Sequence, residues 1–477
     1  MKFKELLIFS VLSFLIVLSS QNIGLFWDNV LCGSKIGTYL YQNGIFQWAT
    51  IPLEIDNGHP PFLGTLLASG WTIFGRSLAT SHWMMYPFIL GLLCQIYFFI
   101  DFFIKEKQFK IAAFLLLLAD PTLLSQLVLV NPEVIQTFFF FLALNSILRD
   151  NVLFKIIGLS FLGIVTFRGM MLCAGLFIVD LLIFTIVKKQ KLRNFISKKT
   201  VLSYLISALP AFIYLIWRLT VKGWLISHPL EIWGSALEFS SLKDFLKNLG
   251  KNILVLGFQF SDFGRIGLLL FIMFTLYLKR KQIQWKNYSS LLIISIFSTF
   301  IIYGASLAIK NTMGHRYYLV SYLSLSLLAF ILIKAYKHKK IIFAVLLTNL
   351  FLGNFIVYSD SFAQGWDSSL AHLPYWNLRK SAINYMDETK IDINQTASFF
   401  PNNTSIDNVD LNGDNRYFKG FSGNEMYVFY SNVYNLSDYE LDILHKNYSV
   451  LKSFEKNNVR VDLMIRTNKI TQNNSHK

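Results

Sequence analysis

Long apolar runs separated by short basic segments make up most of this chain. Several runs reach the roughly 20 residues that a helix needs to cross a bilayer, and the pattern predicts about eleven spans. The expected spans are 5–26, 83–100, 111–130, 133–148, 156–168, 170–187, 200–217, 263–278, 288–309, 317–333 and 341–358. The pattern indicates an all-α polytopic membrane protein.

Polar residues replace the apolar runs after the last expected span. We therefore expect a membrane domain over 1–358 and a C-terminal domain over 359–477, which is long enough to fold by itself. A helix-like stretch at 376–387 and a β-like piece at 426–430 predict that this second domain is small and mixed α/β.

The segment 60–76 is apolar but short for a crossing, so we expect a re-entrant or juxtamembrane helix in the first external loop. If it does not cross, every dense Lys/Arg cluster lies on the side of the N-terminus, including KKQKLRNFISKK at 188–199. The positive-inside rule favours that arrangement. It places the first loop, the expected long loop 218–262 and the C-terminal domain outside the cytoplasm. Residue usage rich in Lys, Asn, Ile and Phe favours a bacterial inner membrane over an endoplasmic reticulum membrane.

Composition agrees with a membrane protein. The chain is 54% hydrophobic and 15% charged, whereas a soluble domain carries about 25% charged residues. The net charge of +16 lies mostly between apolar runs, so it indicates membrane topology and not nucleic-acid binding. The three cysteines are widely spaced and predict neither a disulfide framework nor a metal site.

Polar residues that this topology places at the outer ends of spans are the candidates for chemistry, because ionisable groups at that depth are costly unless they are paired or hydrated. They are Asp28, Glu54, Asp56, His59, Asn131, Glu133, Arg168, Lys310, His315, Arg316 and Tyr317. Arginine suits the oxygens of a phosphate, and a carboxylate suits proton removal from a nucleophile. The mixture therefore favours a reaction on a phosphate-linked substrate.

Each candidate also has a structural explanation. Asp28 could hydrate the end of the first span, and Glu133 after a proline could favour a helix start. Arg168 and Arg316 could extend to the membrane interface, although positive charge on the outer side runs against the topology rule. The functional hypothesis depends on the common depth of these residues and not on any one of them.

With those motifs in order, the chain resembles the polytopic glycosyltransferases of the GT-C class. The relevant group contains the protein O-mannosyltransferases and the aminoarabinose transferase that modifies lipid A. The resemblance covers most of residues 1–335. It rests on Asp28 after the first span, His59-Pro60-Pro61-Phe62, GWTIFG at 70–75, Glu133, the TFRG turn with Arg168, and HRYYL at 315–319.

The resemblance implies a transferase that uses a polyprenyl-phosphate-linked sugar on the external side of the membrane, with inversion at the sugar carbon. By that analogy Asp28 and Glu133 are the catalytic acids. The implied substrate-binding residues are Glu54, Asp56, His59, Arg168, His315, Arg316 and Tyr317, with His59, Arg168 and Arg316 on the lipid phosphate. Membrane lipid is a further expected partner, and the acceptor, whether lipid, glycan or protein, stays open.

The chain departs from the family pattern at two positions. Asn29 stands where many relatives carry a second acid, and His59 stands where Lys or Arg is common. An unperturbed histidine titrates near neutrality, so phosphate binding at His59 would depend on pH. No cofactor is required by the pattern. A divalent metal also stays open, because Asp28, Glu54, Asp56, His59 and Glu133 have suitable ligand atoms.

Two other functions are compatible with the sequence. A flippase or transporter for lipid-linked glycans would place polar residues at the membrane midplane, often on broken helices, and Asp120-Pro121 within the expected third span favours it. A non-catalytic membrane anchor that displays the C-terminal domain would not need the long external loops. The transferase explains more of these features than either alternative.

Overall fold

The computed structural model describes residues 2–225, 228–230, 239–281, 285–307, 309–310 and 313–467. Most of the chain is helical. The helices are α1 Phe3–Ser20, α2 Ile36–Asn43, α3 Phe62–Phe74, α4 Leu78–Phe103, α5 Lys107–Leu118, α6 Pro121–Val128, α7 Pro132–Leu148, α8 Val152–Val165, α9 Phe167–Leu182, α10 Leu192–Phe195, α11 Lys198–Lys222, α12 Leu242–Ser261, α13 Arg265–Lys279, α14 Trp285–Ser306, α15 Leu319–Ile333, α16 Lys339–Gly353, α17 Pro374–Glu388, α18 Ile406–Asp410 and α19 Asp438–Asn447.

The helices confirm a polytopic membrane fold. Among the described residues, six helices are long and apolar enough to cross a membrane, and two bent helix pairs raise the number to eight. Helices α3, α7 and α8 are apolar but shorter. The short apolar helix expected at 60–76 corresponds to α3, and a total of about eleven spans stays a prediction.

Burial separates the helices at the centre from those at the periphery. In the span that contains α15, 83% of the apolar window is buried, whereas the figures are 22% for α1 and 17% for α11. Apolar side chains that remain exposed on a membrane helix suit contact with lipid tails. Helix α15 is therefore at the centre of the bundle, and the residues just before it are held by neighbours on many sides.

One expected span is bent, and one expected loop was wrong. Over the expected span 111–130, α5 and α6 meet at Asp120 with a bend of 73°, and a single span formed by this pair stays a prediction. The segment 218–262 is not a long loop, because α11 extends to Lys222 and α12 occupies 242–261 before a 96° bend into α13. Lysine and asparagine recur through α12, so its sequence contains no long apolar run. Such a pattern is typical of an amphipathic helix.

The C-terminal region contains the expected mixed sheet. Its strands are β1 Thr396–Ser398, β2 Lys419–Gly420, β3 Tyr427–Ser431, β4 Tyr448–Lys456 and β5 Val459–Arg466. The order is β2-β1-β3-β5-β4, in which β1 is parallel to both neighbours and the other pairs are antiparallel. The helix-like stretch predicted at 376–387 is α17, and the β-like piece at 426–430 is β3.

The sheet region docks onto the start of the membrane region through α18. The Leu25 N–H donates to the Val409 carbonyl at 2.8 Å, and the Ser34 hydroxyl donates to the Asn408 carbonyl at 2.5 Å. Arg76 donates to both carboxylate oxygens of Asp407, at 2.8 and 2.7 Å. A paired contact of this kind fixes orientation as well as distance. The segment between α1 and α4 is thus held between the helices and the sheet.

Candidate functional site

Arg316 is the centre of a cluster of charged side chains. It lies in the short 3-10 helix His315–Tyr318 that leads into α15. Its Nη2 contacts the Asp28 carboxylate, its Nε lies 3.3 Å from Glu133 Oε1, and its Nη1 contacts the Asp367 carboxylate. One guanidinium therefore joins acids from the first loop, the start of α7 and the segment that follows α16.

Arg168 completes the cluster from α9. Its Nη2 donates to Glu133 Oε1 at 2.6 Å, and its guanidinium carbon lies 3.6 Å from the centre of the Tyr317 ring. Arg316 Nη2 also donates to the Tyr317 hydroxyl at 3.2 Å. Cation–π stacking of this kind orients an arginine side chain. Tyr317 thus lies against both arginines.

Glu133 and Arg168 each lie in the first turn of a capped helix. Asn131 accepts from the Val134 N–H at 3.0 Å and caps α7, where Pro132 suits the first position and Glu133 falls in the first turn. Thr166 accepts from the Gly169 N–H at 3.0 Å and caps α9, which puts Arg168 in its first turn. An acid in the first turn is favourable and an arginine there is not, so Arg168 depends on its contact with Glu133.

The carboxylates differ in access. The Asp28 side chain is 43% exposed, whereas that of Glu133 is 4% exposed and is bound by both arginines. Asp367 is also nearly buried. Only an accessible carboxylate can accept a proton from an entering substrate. In this geometry the Asp28 carboxylate is the one best placed to accept a proton from a substrate. The Glu133 carboxylate is better placed to orient the two arginines.

His59 lies beside the cluster and packs against the Phe167 ring, with ring centres 5.8 Å apart. Burial, with the positive charge of Arg168, lowers the pKa of His59 to about 3. The expectation of titration near neutrality is therefore wrong for this structure. His59 Nδ1 and Arg168 Nε are buried and have no hydrogen-bond partner among the described residues. Such atoms suit a polar ligand, because a buried polar atom without a partner is costly.

Asp56 and Glu54 are not brought to Arg316. Asp56 Oδ1 lies 3.1 Å from Arg218 Nη2, and its Oδ2 lies 3.7 Å from Lys222 Nζ, so this acid binds the end of α11. Glu54 is exposed in a turn. Among the described residues, neither acid contacts the cluster around Arg316. Substrate binding by Asp56 and Glu54 stays a prediction.

His315 precedes Arg316 but points elsewhere. Its Nε2 lies 3.0 Å from Asp262 Oδ2, at the bend between α12 and α13, and its ring packs 5.0 Å from that of Phe263. The Tyr358 hydroxyl donates to the same aspartate. The structure thus gives His315 a role in joining helices, and its predicted role in substrate binding stays a prediction.

Sequence reasoning missed Asp367 and the role of Asp120. Asp367 lies in a tail rich in Asp and Asn, so no local signal distinguished it. Asp120 is fully buried, and Arg265 donates to its two oxygens at 2.9 and 2.8 Å. Arg265 is the first residue of α13, an otherwise apolar helix. An arginine in an apolar segment is costly without a partner, so its presence indicated a buried acid.

Metal binding was left open by the sequence. Across the described ranges, no group of three or more His, Cys, Asp or Glu side chains has the arrangement of a metal site. The three acids of the cluster instead surround Arg316.

The fold is similar to that of ArnT from Cupriavidus metallidurans. The structure of ArnT bound to undecaprenyl phosphate superposes with a TM-score of 0.50 at 12% identity, covering 96% of this chain and 97% of ArnT. The apo form gives the same TM-score and coverage at 11% identity. This chain has an ArnT-like fold.

The ArnT-like fold confirms the GT-C resemblance that the sequence motifs predicted, at the level of architecture. No protein-family model matches the chain, and no curated protein matches it by sequence. The similarity spans both the helices and the C-terminal sheet, because nearly the full length of each chain is covered. A shared fold does not by itself establish an activity, so function has to be argued from the site.

Proposed function

We propose that this protein transfers a sugar from a polyprenyl-phosphate carrier to a hydroxyl of a lipid, glycan or protein acceptor. The reaction takes place at the external face of the membrane, which the distribution of Lys and Arg favours as the side of the first loop. The observation that carries the proposal is Asp28: an accessible carboxylate in contact with Arg316, in a cluster where His59 and Arg168 have buried polar atoms without partners.

The proposed reaction uses the cluster in two ways. The acceptor hydroxyl oxygen attacks the sugar carbon bonded to phosphate, and Asp28 takes the hydroxyl proton. The bond between that carbon and the phosphate oxygen breaks, so the polyprenyl phosphate leaves with the electron pair and the sugar carbon is inverted. Arg168 and Arg316 stabilise the charge on the departing phosphate, and donors aimed at a developing charge are often the largest catalytic contribution.

The polyprenyl carrier is supported by the fold and by the free donors. ArnT, which shares the architecture, has been seen bound to undecaprenyl phosphate. In this chain Arg168 Nε has no partner among the residues described, and neutral His59 beside it adds a polar atom without adding charge. Together they suit phosphate oxygens on a lipid that enters from the membrane.

A lipid-linked glycan flippase or transporter is the second candidate, and the break between α5 and α6 at Asp120 is the observation in its favour. Broken helices in transporters usually bind substrates or ions with their free ends. Here Asp120 instead caps α6 through the Thr122 and Leu123 N–H groups and binds Arg265. The break therefore has a structural explanation, and the transferase is the better supported function.

The test compares wild-type protein with Asp28→Asn in proteoliposomes that contain a mixed pool of polyprenyl-phosphate sugars and candidate acceptors. We expect acceptor-dependent release of polyprenyl phosphate by the wild type and a loss of about 10²–10⁴-fold in the variant, the usual contribution of a positioned base. Thermal unfolding of both proteins checks that the variant is folded.

Asp101→Asn is the matched control, because Asp101 pairs with Lys110 and Arg149 at the far end of α4. It should keep release within about twofold of wild type, because substitutions away from a functional site usually have small effects. Equal release by wild type and Asp28→Asn would contradict the role of Asp28. Transfer of intact lipid-linked sugar across the bilayer by both proteins would favour the transporter.

A further inference from the structure

Asp367 reaches the cluster from outside the membrane helices. It lies in the short 3-10 helix Trp366–Ser368, in the segment that joins α16 to α17. Its side chain is buried, and its carboxylate contacts Arg316 Nη1, the nitrogen that neither Asp28 nor Glu133 occupies. Each of the three nitrogens of this guanidinium thus faces a different acid.

The main chain of this segment is held by α6. The Asp367 carbonyl accepts from the Ser125 hydroxyl at 2.8 Å and from Gln126 Nε2 at 2.6 Å. The Ser368 carbonyl accepts from the Thr122 hydroxyl at 3.2 Å. The position of Asp367 therefore does not depend on Arg316. The aspartate is a fixed point against which the arginine can be oriented.

Helix α6 is itself anchored by the buried Asp120–Arg265 pair. Arg265 Nη2 donates both to Asp120 and to the Thr122 hydroxyl, the same hydroxyl that donates to Ser368. The bend between α5 and α6 turns α6 toward the 366–368 segment. A continuous set of contacts thus runs from the bundle interior to Arg316.

The charges in the cluster do not balance. Three carboxylates, of Asp28, Glu133 and Asp367, face the two guanidinium groups of Arg168 and Arg316. In their ionised forms they leave one excess negative charge where the proposed donor phosphate binds. Like charges at short range in a partly buried site repel strongly, so Asp367 should weaken the binding of a phosphate.

We infer that Asp367 is a positioning residue that holds Arg316 toward Asp28 and the donor, at a cost in donor affinity. This inference rests on the proposed function. An interaction that weakens ground-state binding and still raises the rate acts selectively on the transition state. Loss of the Asp367 charge should therefore lower the turnover and raise the affinity for the donor. A general loss of structure would lower both.

The test is Asp367→Asn, which keeps the shape and removes the charge. We expect kcat to fall by about 10- to 100-fold, because small misplacements of a catalytic group cost that much. The Kd for undecaprenyl phosphate, measured on purified protein in detergent, should fall by about threefold as repulsion is removed. Asp367→Glu keeps the charge and should keep the wild-type Kd, with kcat nearer to that of wild type.

Asp360→Asn is the matched control, since Asp360 lies in the same connecting segment and binds Arg460, at 2.6 Å, in the sheet region. It should leave kcat and Kd unchanged. The inference is overturned if Asp367→Asn keeps the wild-type kcat, or if kcat, affinity and thermal stability fall together. If the wild type transfers no sugar, the proposed function fails, and the Kd comparison still tests Asp367: unchanged or weaker binding in the variant overturns its placement.

Discussion

Two Asp–Arg pairs in this protein join helix ends that are far apart in sequence, and they differ in access. Asp120 and Arg265 are sealed in the bundle, with side chains 1% and 4% exposed. Asp28 and Arg316 meet just before α15, where the Asp28 side chain is 43% exposed. The sequence offered Asp28 and Arg316 as candidates for chemistry and Asp120 as support for a transporter, because charge in a membrane segment is costly. Access distinguishes them, since a sealed acid cannot meet a substrate.

A charged residue at a helix break does not by itself indicate a transporter. Asp120 accepts hydrogen bonds from two N–H groups at the start of α6 and from Nε and Nη2 of the buried Arg265. Asp28 shares Arg316 with two other acids and keeps part of its carboxylate open to solvent. We expect substitutions at the first pair to affect mainly stability and substitutions at the second to affect mainly activity.

The largest stability effect is expected for Asp120→Asn. Asparagine caps a helix about as well as aspartate, so the cap persists while the Arg265 charge is left buried without a counterion. The free energy of unfolding should fall by about 3–5 kcal/mol, measured by denaturant titration in detergent micelles. Adding Arg265→Gln should recover part of the loss. A loss below about 1 kcal/mol in the single variant would contradict a structural role for the buried Asp120–Arg265 pair.

A smaller effect is expected for Arg168→Lys. Lysine keeps the charge but loses the planar contact with Tyr317 and the hydrogen bond from Nη2 to Glu133. We expect kcat/KM for sugar transfer to fall about tenfold, with thermal stability close to that of wild type. Arg149→Lys, at the far end of α7, is the control and should have wild-type kinetics. Wild-type kcat/KM in Arg168→Lys would mean that Arg168 contributes charge alone.

Asp28→Asn should have a minor effect on stability. The carboxylate is half exposed, and Glu133 and Asp367 still neutralise Arg316 after the change. The free energy of unfolding should change by less than about 1 kcal/mol, as for other exposed pairs. The same titration used for Asp120→Asn measures it. A loss as large as that of Asp120→Asn would show that both pairs are structural.

His59 should make the protein mildly sensitive to acid. Its folded pKa of about 3 lies below its ordinary value of 6.5, so the unfolded chain takes up a proton that the folded chain excludes. Stability from this group is complete above pH 6.5 and falls as the pH drops toward 3. We expect His59→Asn to lose less thermal stability than wild type between pH 7 and pH 5. Parallel losses in the two proteins would contradict the burial of His59.

Chelation is expected to have the smallest effect. The acids near Arg316 are neutralised by arginine, and arginine nitrogens leave little room for a cation beside them. Treatment with EDTA should change the transfer rate by less than about twofold. A loss that added Mg²⁺ or Mn²⁺ restores would show that a metal takes part at one or more of these carboxylates.

The sequence by itself determined the membrane class and most of the central cluster. Apolar runs identified helices because a segment in lipid must satisfy its backbone N–H and C=O groups internally, as a helix does. The ends of those runs identified Asp28, Glu133, Arg168 and Arg316, because residues at helix ends share one depth whatever the packing. The tail also showed its strands and helix through local periodicity.

Only the tertiary structure decided which of these residues meet. Depth along a helix can be predicted from position, but the direction a side chain faces depends on which helices pack together, and a uniformly apolar helix surface does not encode that choice. This is why Asp56 binds Arg218, His315 turns to Asp262, and Asp120 closes on Arg265. It is also why Asp367, in a polar tail without a motif, contacts an arginine 51 residues earlier in the chain.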